Sequence, residues 1–170
     1  LRSFGDIEIQ HPAQTSVLAI IHGAQEGKTI LLRADMDALP MQEESGLSFS
    51  SDVNNVAHTC GHDTHTAMLL ATAKVLYELK DSLHGSVKLI FQHAEELNPG
   101  GSQAIVDSGL IDDVDAVVGL HIIPNLPCGS IHVHPSGPAT TAADGFFLHI
   151  QGKGSHGSMP QNGIDPIIIG

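Results

Sequence analysis

The sequence has no tryptophan, one tyrosine and only two cysteines, Cys60 and Cys128. With so few aromatic rings for bases to stack on, a binding surface for single-stranded nucleic acid is disfavoured. Two cysteines are too few for a disulfide framework, so we expect a reducing, cytoplasmic setting. No stretch approaches the roughly 18 consecutive apolar residues of a membrane span, and the N-terminal residues lack the apolar run of a signal peptide.

Positive charge is also scarce. Seven Lys and Arg residues stand against nineteen Asp and Glu, which gives a formal net charge of −12. Such a chain repels phosphate backbones and anionic lipid surfaces, so neither nucleic acid nor a membrane is an expected partner. The twelve histidines outnumber Lys and Arg together, and they supply metal ligands or acid–base groups near neutral pH. Most of them, taken singly, are explained well enough as solvated surface residues.

Apolar runs alternate with helical patterns along residues 1–139. Residues 16–23, 28–33, 86–92 and 114–120 are apolar and rich in β-branched side chains, which predicts four strands. Between them, residues 63–83 repeat apolar side chains at helical spacing, with Gly85 placed to end the helix, and residues 102–110 form a shorter helix. This alternation predicts an α/β fold with a mostly parallel sheet layered with helices.

Ligand-type side chains follow these strands where each one ends. Asp35 and Asp37 follow the second strand, Glu95 and Glu96 the third, and His121 the fourth. In a sheet covered by helices, this strand end is where ligands bind. Each group has an ordinary explanation on its own, as a capping aspartate, an exposed helix start or a structural histidine. Their recurrence at the same end of successive strands predicts a shared site.

A short Cys-x-His segment precedes the long helix. Gly61 lets the backbone turn so that Cys60 and His62 can reach one cation, and the helix N-terminus favours a thiolate over a thiol. Two ligands alone hold a metal weakly. Together with Glu96 and His121 they could bind one or two divalent ions, with Glu95 as a base towards metal-activated water.

The chain changes character near residue 140. Pro and Gly are frequent over residues 124–138, with a short strand expected at 130–134, and residues 144–152 alternate like a half-exposed antiparallel strand. A glycine-rich loop then displays His156, and Asp165-Pro166 is typical of a helix start. A helix cannot be stable over so few following residues. Because the chain also begins with Leu1 and not with Met, we expect it to be a segment of a longer protein.

Several of these segments resemble the two-metal aminoacylase/carboxypeptidase-type metallohydrolases. The similarity is greatest to the branch of N-acyl-amino-acid amidohydrolases, hippurate hydrolases and hydrolases of indole-acetyl amino-acid conjugates, and it covers essentially all 170 residues. The segments that carry it are Leu32–Pro40, His58–Leu70, Ala94–Glu96, Gly119–His121 and Gly152–Gly157.

The resemblance implies a function and a role for individual residues. It implies hydrolysis of the amide bond of an N-acyl amino acid or short peptide by two divalent ions of zinc, manganese, cobalt or nickel. The implied metal ligands are Cys60, His62, Glu96 and His121, with Glu95 as general base, Asp37 supporting the site from behind the ligands, and Asp35 as a secondary candidate where sister branches have a histidine ligand.

The resemblance also divides the chain. Residues 1–139 would form an incomplete catalytic domain and residues 140–170 the start of a smaller α+β lid domain through which the full-length protein forms a homodimer. His156 would reach across that dimer to steady the oxyanion in the partner's site. The sequence departs from the family at His93, where proline is expected, and at Leu97-Asn98. A further metal-ligating histidine and the substrate carboxylate's binding groups would lie beyond Gly170.

Two other hypotheses remain open from the sequence. Cys60 could be a nucleophile paired with His62 or His65, in which case a chelator would spare activity. Alternatively, the chain could be an inactive metal-binding fragment or a degenerate enzyme that acts as an assembly module.

Overall fold

The computed structural model describes residues 1–140 and 145–170. They form two compact units, Leu1–Ser130 and Ile131–Gly170. The first unit contains a five-stranded sheet and the longer helices. Among the described residues, no helix has the length and apolar character needed to cross a membrane.

The sheet has the strand order β1-β2-β4-β3-β5. Strand β2 pairs antiparallel with both β1 and β4, whereas β3 pairs parallel with β4 and β5. Strand β2 therefore runs against the other four, which confirms the predicted α/β fold with a mostly parallel sheet. The bounds are β1 Glu8–Gln10, β2 Val17–His22, β3 Gln25–Asp35, β4 His84–Gln92 and β5 Ala116–Gly119.

Helices cover both faces of the sheet. Helix α1, His62–Glu78, packs Leu69 and Ala73 against one face, and α2, Gly101–Asp107, packs Ile105 against the other. Strand β2 shows why both faces are apolar, because its alternate residues enter the two different cores. Leu18 and Ile20 face α2, whereas Ala19 and Ile21 face α1.

Some local predictions were wrong. Helix α1 ends at Glu78 and is followed by a 3-10 turn, Lys80–Ser82, while Gly85 lies inside β4. Gly85 has a φ of 82°, and a Cβ there would overlap the Lys28 carbonyl. It therefore allows β3 and β4 to approach closely and does not end the helix. Strand β5 is exposed at all four residues, although its apolar run suggested burial.

The second unit has little regular structure. Residues 130–134 and 145–152 form no strand, so both strand predictions were wrong there, and Asp144 lies outside the described residues. Lys153 and Ile164 pair through two backbone hydrogen bonds of 3.0 and 2.9 Å. The predicted helix start is confirmed in α3, Pro166–Ile169, where the Asp165 carboxylate accepts the Ile167 N–H at 2.9 Å.

Candidate metal centre

His62, the first residue of α1, stands at the centre of the site. Its ring is 1% exposed, and Nδ1 lies 3.0 Å from the carbonyl oxygen of Asp37 and 3.3 Å from that residue's Oδ1. A carbonyl oxygen can only accept, so Nδ1 carries the proton and Nε2 has a free lone pair. Among the described residues, this buried Nε2 has no hydrogen-bond partner.

Three carboxylates surround that nitrogen. Nε2 of His62 lies 3.7 Å from Oδ1 of Asp35, 3.9 Å from Oε2 of Glu95 and 3.8 Å from Oε1 of Glu96. These gaps are too long for hydrogen bonds and leave room for an ion between the atoms. A buried acceptor facing several carboxylate oxygens is an arrangement that a divalent cation would satisfy.

Cys60 and His121 form a second group of possible ligands next to His62. The Cys60 sulfur lies 3.5 Å from Nε2 of His121, and the His121 Nδ1–H donates to the Ile122 carbonyl at 2.6 Å. Each His121 nitrogen is thus assigned, and Nε2 remains free to bind a metal. The described residues form three candidate ligand sets, each with its atoms within 4.8 Å of one another: Cys60/His62/His121, His62/Glu95/Glu96 and Asp35/His62/His65.

The turn at Gly61 explains why Cys60 and His62 can both face the site. Gly61 has a φ of 80°, in the left-handed region that favours glycine. A Cβ at this position would overlap the Ile122 side chain. The segment after β5 therefore packs directly on the Cys-Gly-His turn.

Residues 93–101 present the two glutamates. Ala94 has a φ of 50°, unusual for a residue with a side chain, and its carbonyl accepts the Gly101 N–H at 2.9 Å. The Glu96 N–H donates to Oδ2 of Asp37 at 3.0 Å. His93, which stands where the resemblance leads one to expect proline, also has a structural role. Its buried ring hydrogen-bonds the Ser16 hydroxyl at 2.6 Å.

Comparison with known proteins identifies the family. Residues 31–160 match the family described as Peptidase family M20/M25/M40. The chain belongs to this family.

Several curated relatives align with nearly the whole M20 chain. It is 49% identical to the N-acyl-L-amino acid amidohydrolase of Geobacillus stearothermophilus over 100% of this chain and 46% of the relative. It is 47% identical to the N-acetyl-L-cysteine deacetylase of Bacillus subtilis (91% and 37% covered) and 39% identical to the hippurate hydrolase of Campylobacter jejuni (98% and 43% covered). The chain thus spans less than half the length of these relatives.

Solved structures agree with the fold. The Bacillus subtilis YXEP protein, described as a dinuclear metal-binding peptidase of the M20 family, matches with a TM-score of 0.68 and 42% identity. That match covers 72% of this chain and 34% of the YXEP chain. A Staphylococcus aureus protein assigned as an aminohydrolase matches with a TM-score of 0.80 and 36% identity, over 98% of this chain and 45% of the other.

Charge in the M20 site is set by burial and by specific partners. Burial raises the pKa of Asp35, but the His65 hydrogen bond and the Arg33 charge outweigh it and hold that pKa below its usual range. Burial likewise raises the pKa of Asp37, while backbone N–H groups of Glu96 and Glu95 bring it below the usual range. Both carboxylates are therefore ionised at neutral pH.

The pKa of the Cys60 thiol is shifted upwards, whereas the position at a helix N-terminus predicted a downward shift. Among the protein groups alone, burial and then the neighbouring Glu96 raise the pKa of the Cys60 thiol to about 11. Burial, followed by the charge of the nearby carboxylates, therefore opposes the predicted thiolate as long as no cation is bound. The raised thiol pKa also argues against Cys60 as a nucleophile, since a Cys–His nucleophile needs a lowered one.

His65 is the residue that the sequence reasoning did not place among the metal-site residues. It lies three residues after His62 on α1 and is 2% exposed. The spacing, which puts two histidines on one helix face, was the available signal. His58, in the same segment, is exposed, and it belongs to none of the ligand sets.

His156 lies in the second unit, on an exposed loop. The Ser158 N–H donates to its Nδ1 at 3.2 Å. Because a backbone N–H only donates, Nδ1 is an acceptor and the proton of the neutral ring is on Nε2.

Proposed function

We propose that the full-length protein hydrolyses the amide bond of N-acyl amino acids or similar small amides at a centre of two divalent ions. The observation that carries this proposal is the buried, unpartnered Nε2 of His62, which faces three carboxylates. The names of the relatives, which include an amidohydrolase, a deacetylase and a hippurate hydrolase, support the substrate class.

The ligands we assign are Cys60, His62, Glu96 and His121. They supply one sulfur, two ring nitrogens and one carboxylate, a donor set suited to zinc, manganese, cobalt or nickel. Asp37 orients His62 by accepting from Nδ1, and it fixes Glu96 through that residue's N–H. Asp37 therefore supports two ligands without binding metal itself.

Glu95 is the proposed general base. The Glu95 side chain is 41% exposed, so water can reach its carboxylate. The same carboxylate is close to the proposed ligands, because Oε2 lies 3.9 Å from Nε2 of His62. When bound, the divalent ions would supply Lewis acidity, which polarises an amide carbonyl and lowers the pKa of water. Glu95 would accept the proton of that water and return it to the departing amine.

His156 is proposed to stabilise the developing oxyanion. Within the part of the chain that the structure describes, its Nε2–H has no hydrogen-bond partner, and the loop is exposed, as an oxyanion partner requires. We assign residues 1–139 to the metal-binding catalytic domain and residues 140–170 to the start of a lid domain. In this proposal the lid forms a homodimer and places His156 in the partner's site.

One kinetic experiment on the full-length protein tests these roles. Glu95→Gln should lower kcat by about 10²- to 10⁴-fold at unchanged metal content, because proton transfer is lost. His156→Ala should also lower kcat at unchanged metal content, because a donor to the oxyanion is lost. Glu96→Gln should lower metal content itself. Glu26→Gln, at the other end of β3, is the charge-matched control and should change neither quantity. A Glu95→Gln protein that keeps full kcat on a panel of N-acyl amino acids would refute the proposal.

A further inference from the structure

We propose that His65 is a positioning residue that holds the metal ligand His121 in place through the backbone N–H of Ile122. The inference rests on the proposed metal-binding role of His121. His65 itself does not enter the ligand set in this account.

The hydrogen bonds of His65 use both ring nitrogens. The Ile122 N–H donates to Nε2 at 3.0 Å, so that nitrogen is unprotonated. Nδ1 therefore carries the proton and donates it to Oδ1 of Asp35 at 2.6 Å. A ring with both nitrogens engaged in this way is not available as a ligand.

Asp35 anchors this connection to the core sheet. It is 1% exposed, and its second oxygen, Oδ2, accepts from Arg33 at 2.9 Å. Arg33 in turn donates its Nε–H to Gln92 of β4 at 2.9 Å. Both carboxylate oxygens of Asp35 already have partners, so the structure favours Asp35 as an anchor for His65 over Asp35 as a metal ligand.

The segment that His65 holds has few other constraints. Strand β5 has only four residues, all exposed, and it lies at the edge of the sheet. His121 and Ile122 follow it directly. The Ile122 side chain packs over Gly61 while its N–H binds His65, so Ile122 is attached to the start of α1 at two points. The His65 and His121 rings lie 4.7 Å apart, centroid to centroid.

Histidine suits this position because it presents a donor and an acceptor on opposite sides of one rigid ring. Leucine at position 65 would fill much of the space but would leave the Ile122 N–H and the Asp35 carboxylate without their partner. Glutamine would keep a carbonyl oxygen as an acceptor for Ile122. These two replacements therefore separate the hydrogen bond from the packing.

The first test does not depend on metal. Amide hydrogen exchange at Ile122 is measured in the chelator-treated full-length protein. We expect protection in the wild type, faster exchange in His65→Leu, and an intermediate rate in His65→Gln. Equal exchange at Ile122 in all three proteins would overturn the proposal.

The second test asks whether His65 acts through His121. Co²⁺ affinity is measured by chelator competition for wild type, His65→Leu, His121→Ala and the double variant. His65→Leu should weaken binding by roughly 10- to 100-fold, as expected when the support of a ligand is lost. It should weaken binding no further once His121 is gone. Equal losses in both backgrounds would contradict a role through His121.

A control and an internal check complete the design. Leu69→Ala removes a buried side chain one turn further along α1, and it should lower stability while leaving Co²⁺ affinity nearly unchanged. If His65→Leu fails to fold, His65→Gln takes its place, with a smaller loss expected. If the wild type binds no Co²⁺, the proposed function fails, and the exchange rate at Ile122 still decides whether His65 holds this segment.

Discussion

His62 contributes to every ligand set that the described residues form. Its Nδ1 is committed to Asp37, which leaves Nε2 facing Asp35, Glu95 and Glu96. The sequence predicted that a histidine here would bind metal, but not that one nitrogen would be fixed by a backbone carbonyl. That contact joins residues 25 apart in sequence, and no local pattern encodes it.

A first prediction concerns another single residue, Gly61. Gly61→Ala forces a side chain into a left-handed backbone and into the space of Ile122. We expect a loss of stability of about 2–3 kcal/mol and weaker metal binding, because Cys60 and His62 flank the turn. Thermal unfolding and metal titration measure the two effects.

Gly46→Ala is the matched control for this change. Gly46 has a similar φ of 66°, but among the described residues no atom apart from its chain neighbours lies within 4 Å of a Cβ built there. It should cost only about 1 kcal/mol of backbone strain and leave metal binding intact. Equal effects of the two substitutions would show that contact with Ile122 is unimportant.

At the scale of elements, the parallel pair β3 and β4 brings the acidic residues together. Asp35 pairs with Gln92, so Asp37 and the Glu95/Glu96 pair leave the sheet at the same edge. Apolar runs and the residues after them were sufficient to predict this. They could not reveal that β2 runs antiparallel beside β4, or that Gly85 lies within a strand, since both depend on contacts between distant residues.

The ion pair between Lys88 of β4 and Asp113, just before β5, gives a pH prediction. The Lys88 hydrogen bond holds the pKa of Asp113 below its usual range, so the folded state favours the ionised carboxylate. This stabilisation is complete above the unfolded pKa of about 3.8 and is lost as the pH falls through the folded value.

Asp113→Asn should therefore destabilise the protein by about 1 kcal/mol at pH 7 and by less at pH 2. The effect is modest because the Asp113 side chain is 62% exposed. Urea unfolding at both pH values measures it. The control is Asp112→Asn, which removes the same charge from the neighbouring exposed residue. A pH-independent loss in Asp113→Asn would rule out the ion pair as its cause.

For the whole molecule, the sequence predicted the fold class but not the second unit. Alternating polarity over residues 144–152 suggested a strand, yet a strand forms only where a partner offers backbone hydrogen bonds. In the described part of that unit, the paired residues are instead Lys153 and Ile164. The net charge of −12 is also consistent with the site, since several carboxylates converge there on one buried nitrogen.

The most direct measurement for the account as a whole is an anomalous-scattering map of metal-loaded full-length protein. We predict two peaks within bonding distance of the assigned ligands Cys60, His62, Glu96 and His121. Neither peak should lie within bonding distance of His65 or Asp35, because both side chains are bonded to protein groups. Peaks at other residues, or no peak near Nε2 of His62 in protein saturated with metal, would contradict the account.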